Sequence, residues 1–99
     1  MPRDVVEHLR ARIPDHVVHR EFPGETVVLN LETGQYHGLN ATAGRMLAAL
    51  VDADSIGLAA AALEAEFAVS RSTLGRDLIE LCKALAARGL LQFDDVRTA

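Results

Sequence analysis

The sequence predicts a small α+β domain: a three-stranded antiparallel sheet followed by three helices, in a winged helix-turn-helix-like arrangement. Three observations carry this expectation. Residues 16 to 40 are rich in β-formers and are broken by turn residues at Pro23-Gly24 and Thr33-Gly34. From Asn40 to Gly89 the apolar spacing turns helical, with polar caps at three places. Strands and helices are segregated along the chain, the order that α+β domains show.

Each element follows from local chemistry. His16-Val17-Val18-His19-Arg20-Glu21-Phe22 reads as the first strand. In the second, Val27, Leu29 and Leu31 alternate onto one face. Thr33-Gly34 makes a short hairpin connection to the third, Gln35-Tyr36-His37-Gly38-Leu39. So small a meander needs helices over one face. Asn40 or Thr42 caps the first helix, which carries Met46, Leu47 and Leu50. Asp54 or Ser55 caps the second, through Ile56, Leu58 or Ala59, Ala62, Leu63 and Phe67. Ser70 or Ser72 caps the third, whose core stripe is Leu74, Leu78, Leu81 and Leu85. Gly89 ends it as a left-handed residue, and Leu90 folds back on the last turn. Residues 1–15 are a charged lead-in, either a short helix with Val5, Val6 and Leu9 on one face or a mobile segment. Residues 16–93 form the domain, and residues 94–99 a polar tail.

Bulk properties narrow the function. The chain has 99 residues, 49% of them hydrophobic, enough for one compact core. Its net charge of -4 disfavours a duplex-binding module, which needs a basic surface. The single cysteine, Cys82, permits no internal disulfide and suits a reducing cytoplasm. No apolar run is long enough to span a bilayer or to form a signal core.

Candidate chemistry is sparse. Cys82 sits mid-helix beside Leu81, where a buried structural thiol is the ordinary reading. His8, His16, His19 and His37 show no metal-ligand spacing, so neither a metal nor a cofactor is expected. The glycines form no phosphate loop; Gly38, inside a strand, marks either a bulge or a close backbone approach. The apolar arc of the third helix is wide, with Gly75, Ile79, Cys82 and Ala86 extending it sideways. It either packs wholly inward or lines a groove beside the third strand. Arg71, Arg76, Lys83 and Arg88 lie on this helix or at its ends, where a solvated face is the ordinary role of such charges.

The run Leu31-Glu32-Thr33-Gly34-Gln35-Tyr36, leading into Gly38-Leu39-Asn40, resembles the PqqD-like family. An alanine- and leucine-rich helix, the acidic turn Asp52-Ala53-Asp54 and the ending Leu85-Ala86-Ala87-Arg88-Gly89-Leu90-Leu91 complete the likeness, over roughly residues 16 to 93. The resemblance implies a RiPP recognition element, a non-catalytic domain that holds the leader of a ribosomally made precursor peptide. It implies a leader laid antiparallel along the third strand, with Gln35, Tyr36, His37, Gly38 and Leu39 supplying the backbone ladder. Ile79 and Cys82 would then wall the pocket, with Arg76 and Lys83 nearby for charge pairing. Glu32-Thr33-Gly34-Gln35-Tyr36 and Gly38-Leu39-Asn40-Ala41-Thr42 look most like the stand-alone branch of lasso peptide pathways. The quinone-cofactor branch usually carries an aromatic near the final glycine, whereas here Leu90 follows Gly89 and no Trp is present. The implied partners are the leader, a leader peptidase and a cyclase. An open strand edge also allows a dimer. The competing readings are a winged-helix DNA-binding regulator, whose basic helix face Asp77 and Glu80 interrupt, and a thiol enzyme using Cys82.

Overall fold

The structure, a computed structural model, describes residues 8–95. Strands β1 (Leu9–Arg12), β2 (Val17–Phe22), β3 (Glu25–Asn30) and β4 (Tyr36–Asn40) come first. Helices α1 (Ala41–Asp52), α2 (Ile56–Phe67) and α3 (Arg71–Ala87) follow, and strand β5 (Gln92–Asp95) closes the chain. Strands β2, β3 and β4 form an antiparallel sheet in that order, so β3 is central and β4 is an edge. The three-strand, three-helix body is as the sequence predicts.

The chain reaches this body through caps and turns of defined chemistry. Gly24 and Gly34 take positive φ at the two hairpin ends, where a Cβ would strain the backbone. The second connection is wider than the expected Thr33-Gly34 turn, because Asn30 organises it. Asn30 Oδ1 accepts from the amides of Glu32 and Thr33 at 2.9 and 3.3 Å, and its carbonyl accepts from Gly34 N at 2.8 Å. The helix caps resolve to Asn40, Ser55 and Ser70, whose side-chain oxygens accept from Ala43, Leu58 and Thr73 amides. At the end of α3, Gly89 adopts φ 71° and Leu90 N donates to Leu85 O at 2.9 Å, which buries Leu90.

Packing sorts the apolar residues. Leu47, Leu50, Ile56, Leu63, Leu78, Leu85 and Val28 are fully enclosed between the helices and one sheet face. Burial of each such aliphatic side chain contributes about 1.5–3 kcal/mol. Helix α1 seats closely on β3, since a side chain at Gly44 would collide with Thr26. On α3 the buried set is Leu74, Leu78, Cys82 and Leu85, while Leu81 is only half-buried. Leu58 is exposed and Ala59 takes the inward position on α2.

Two sequence expectations are corrected. The core-facing residues of β3 are Thr26, Val28 and Asn30. Val27 and Leu29 do share a face, but it is the outer one, and Leu31 lies beyond the strand end with 58% exposure. Polar Thr26 and Asn30 can face inward because Thr26 sits against a glycine and Asn30 spends its side chain on the turn. The second correction concerns the ends. Leu9, expected on a helix face or in a mobile lead-in, lies in β1, which pairs antiparallel with β5 from Leu9↔Asp95 to Arg12↔Gln92. Asp94 and Asp95, expected in a polar tail, therefore belong to a ribbon. Arg12 holds it, bonding Asp94 Oδ2 at 3.2 Å and Gln92 Oε1 at 2.6 Å, while Ala11 is buried beneath. Val5 and Val6 lie outside the described residues.

Candidate functional site

Among the described residues β4, like β2, is unpaired along its outer edge, and two hydrogen bonds fix the direction of its backbone groups. Asn30 N donates to Gln35 O at 2.9 Å, so Asn30 turns its backbone groups toward β4. The next residue, Leu31, donates instead to His16 O at 2.7 Å, on the β2 side. Backbone direction alternates along a strand. Val28 and Thr26 therefore point to β4, where the register sets them opposite His37 and Leu39. It follows that His37 and Leu39 spend their N–H and C=O groups inward. Tyr36 and Gly38 turn theirs to the unpaired edge. Register continues unbroken through Gly38↔Val27, so Gly38 marks no bulge.

Side chains alternate in the same way. Leu39 is buried and His37 half-buried on the helix side, whereas Tyr36 is 73% exposed on the outer face. Gln35, which closes the turn through Thr33 Oγ1, stands at the head of the strand. The first part of β4 faces the end of α3. A small hollow there is lined by Asn30, Gln35, Tyr36, His37, Arg88 and Leu90. The Gly89 cap positions both Arg88 and Leu90 on this wall.

The structure divides the helix residues that the sequence grouped with this strand. With 100° per residue, Leu81, Ala84 and Arg88 lie on one flank of α3 and Ile79, Lys83 and Ala86 on the other. Arg88 shares the hollow with β4. Ile79, Cys82 and Lys83 instead line a hollow of about 370 Å³ with Leu9, Ile56, Ala86 and Phe93, against the β1–β5 ribbon. Arg76 is exposed on that solvent-facing side. The wide apolar arc of α3 serves a contact the sequence did not reveal. The ribbon occupies one flank and leaves the other for the edge strand. Arg71 is engaged elsewhere, donating to Gly57 O at 3.1 Å.

Cys82 is 3% exposed, and burial pushes its thiol up to about 12, so it stays protonated and unreactive near neutrality. Among the described residues no group of three or more His, Cys, Asp or Glu is placed to hold a metal ion. No described helix is long and apolar enough to cross a membrane. The outer face of the sheet exposes apolar side chains: Val18 and Phe22 are about half exposed, and a shallow hollow of about 390 Å³ runs between Val18, Phe22, Val27 and Leu29, with His19 and Arg20 also lining it. Exposed patches of this kind mark interaction surfaces.

Residues 25–91 match the family described as coenzyme PQQ synthesis protein D (PqqD), and the chain belongs to that family. Two solved structures share its fold. One is TbiB1 in complex with the TbiA(beta) leader peptide, 37% identical with a TM-score of 0.75, covering 82% of this chain and 94% of that one. The other is a lasso peptide synthetase B1 complexed with the leader peptide, 26% identical with a TM-score of 0.75, covering 84% and 98%. No curated protein matches the chain.

Proposed function

We propose that this protein binds the leader segment of a ribosomally made precursor peptide by adding it as a fourth strand to β4, in lasso peptide biosynthesis. The observation that carries the reading is the unpaired β4 edge. The outward N–H and C=O groups of Tyr36 and Gly38 lie beside a wall made by Arg88 and Leu90. Strand addition takes its affinity from such backbone groups and its specificity from flanking pockets. Two proteins of the same fold, one 37% identical, are known in complex with leader peptides, which supports the same ligand here.

The ladder residues are Gln35, Tyr36, His37, Gly38 and Leu39, of which Tyr36 and Gly38 supply the outward hydrogen bonds. From α3 we assign Leu81, Ala84 and Arg88 to the peptide side. Arg76, Ile79, Cys82 and Lys83 stand on the ribbon side and are left out of the groove. The protein does no chemistry itself. It works in the cytoplasm and raises the local concentration of the precursor beside a leader peptidase and a cyclase. The exposed apolar face of β2 and β3 supports a protein partner of this kind.

Fluorescence anisotropy tests this reading directly, with labelled leader peptides of lasso peptide precursors and a labelled DNA duplex. Saturable binding of the leader, with the duplex ignored, is the expected result. Binding of the duplex alone, falling steeply with salt, would replace the adaptor by a DNA reader.

A further inference from the structure

The β4 edge carries one charged group that neither the turn nor the core accounts for. Glu25 opens β3 and pairs in register with Asn40, while Val27, two residues on, pairs with Gly38. All four lie on the outer face of the sheet. The Glu25 side chain reaches diagonally across this face. A Cβ built on Gly38 would lie only 3.0 Å from Glu25 Oε1. The carboxylate thus occupies the space that any larger residue at 38 would fill.

The carboxylate is uncompensated within the described chain. Neighbouring ions are committed elsewhere: Arg45 pairs with Glu66 at 2.8 Å, and the remaining ion pairs involve Arg12, His16 and Lys83. Glu25 itself has no ion pair or hydrogen bond to another described side chain. Arg20 is the diagonal neighbour of Glu25 on the β2 side of the same face, but it makes no ion pair with the carboxylate, which reaches instead toward Gly38 on β4.

Because the backbone groups of Gly38 point outward, an added antiparallel strand places one of its residues directly opposite Gly38, in a hydrogen-bonded pair. That residue turns its side chain to the same outer face, beside the Glu25 carboxylate. We infer that Glu25, resting on the floor made by Gly38, is a specificity-determining residue that selects a lysine or arginine in the bound peptide at the position opposite Gly38. This deepens the strand-addition reading and rests on it. Exposed cross-strand ion pairs are individually weak, so the preference for Lys over Gln at that position is about two- to fivefold in affinity, and wider against Glu.

A displayed library of random peptides, selected in parallel on the full-length protein and on Glu25→Gln and Glu25→Lys, tests this. The wild-type protein should enrich peptides with an alternating apolar frame and Lys or Arg at one fixed outward position. Glu25→Gln should keep the frame and lose the basic preference, and Glu25→Lys should turn it to Asp or Glu. Gly38→Ala, which displaces the carboxylate at its flexible end, should weaken the basic preference as Glu25→Gln does. Thermal melting confirms that each variant is folded. An enriched frame with the same residue preferences in all variants would overturn the role of Glu25 and leave strand addition standing. Failure of the folded wild-type protein to enrich any peptide frame would overturn both.

Discussion

Proline scanning of β4 separates binding from folding, because adjacent residues of this strand face opposite partners. The alternation set by Asn30 and Leu31 sends the His37 N–H inward to Val28 and the Gly38 N–H outward to the open edge. Gly38→Pro removes an edge donor and leaves the β3–β4 ladder whole. Its new ring meets Glu25 Oε1, the far end of a flexible side chain, so the local cost is small. The preceding residue is already extended, as proline requires. A bound peptide then keeps one carbonyl without a partner, which costs about 1–3 kcal/mol, or roughly five- to a hundred-and-fifty-fold in Kd. His37→Pro instead orphans the carbonyl of Val28, which is fully buried. The same 1–3 kcal/mol now falls on folding, a loss of about 4–8 °C in Tm per kcal/mol for a domain of this size. Circular dichroism melts and leader anisotropy on both variants make the comparison. The reasoning fails if Gly38→Pro binds with unchanged affinity, or if the two variants lose stability equally.

Other consequences concern the core and its thiol. Leu78→Ala removes a side chain with no exposure and should cost about 2–5 kcal/mol, with Leu81→Ala costing clearly less because Leu81 is half-buried; equal melting shifts would contradict this packing. Ala68 closes α2 at φ 54°, so Ala68→Gly should raise stability by about 1 kcal/mol, read by urea unfolding, and a loss would refute the strain. Cys82 is held protonated up to about 12, against 9.0 when unperturbed. Its folded-state pKa is the higher one, so the folded chain holds the proton longer. The stabilisation is complete below pH 9 and is lost as pH rises toward 12, at up to about 1.4 kcal/mol per pH unit. Unfolding curves of wild type and Cys82→Ala should therefore converge across that window, and parallel curves would show that the thiol is not desolvated.

Much of this fold was legible because its signals are local. Asn40, Ser55 and Ser70 cap helices where a side-chain oxygen was called for, and Gly89 ends α3 in the left-handed conformation. The β1–β5 ribbon was not legible. Leu9–Arg12 finds its partner across nearly the whole chain, and nothing in so short a charged segment announces a strand. The inner face of β3 was not legible for a related reason. Both faces of that strand carry apolar residues, so alternation alone cannot choose between Val28 and the Val27–Leu29 pair. Close seating of Gly44 on Thr26 decides it, and that contact is tertiary.

The site shows the same division. The third strand was readable from the hairpin pattern, one residue early at 35–39 against Tyr36–Asn40, and its role as the binding edge came from the family resemblance. Which flank of α3 faces it was not legible, because an apolar arc as wide as that of α3 fits either flank. The ribbon takes Ile79, Cys82 and Lys83, which leaves the Arg88 flank to β4. Only the placement of β1 and β5 reveals this, through Leu9 and Phe93.

Amide hydrogen exchange, followed residue by residue with and without saturating leader peptide, tests the central claim most directly. Strand addition predicts that Tyr36 and Gly38 exchange quickly in the free protein and become protected in the complex, while His37 and Leu39 are protected in both. Peptide binding that leaves Tyr36 and Gly38 exchanging freely would place the peptide elsewhere and contradict the account.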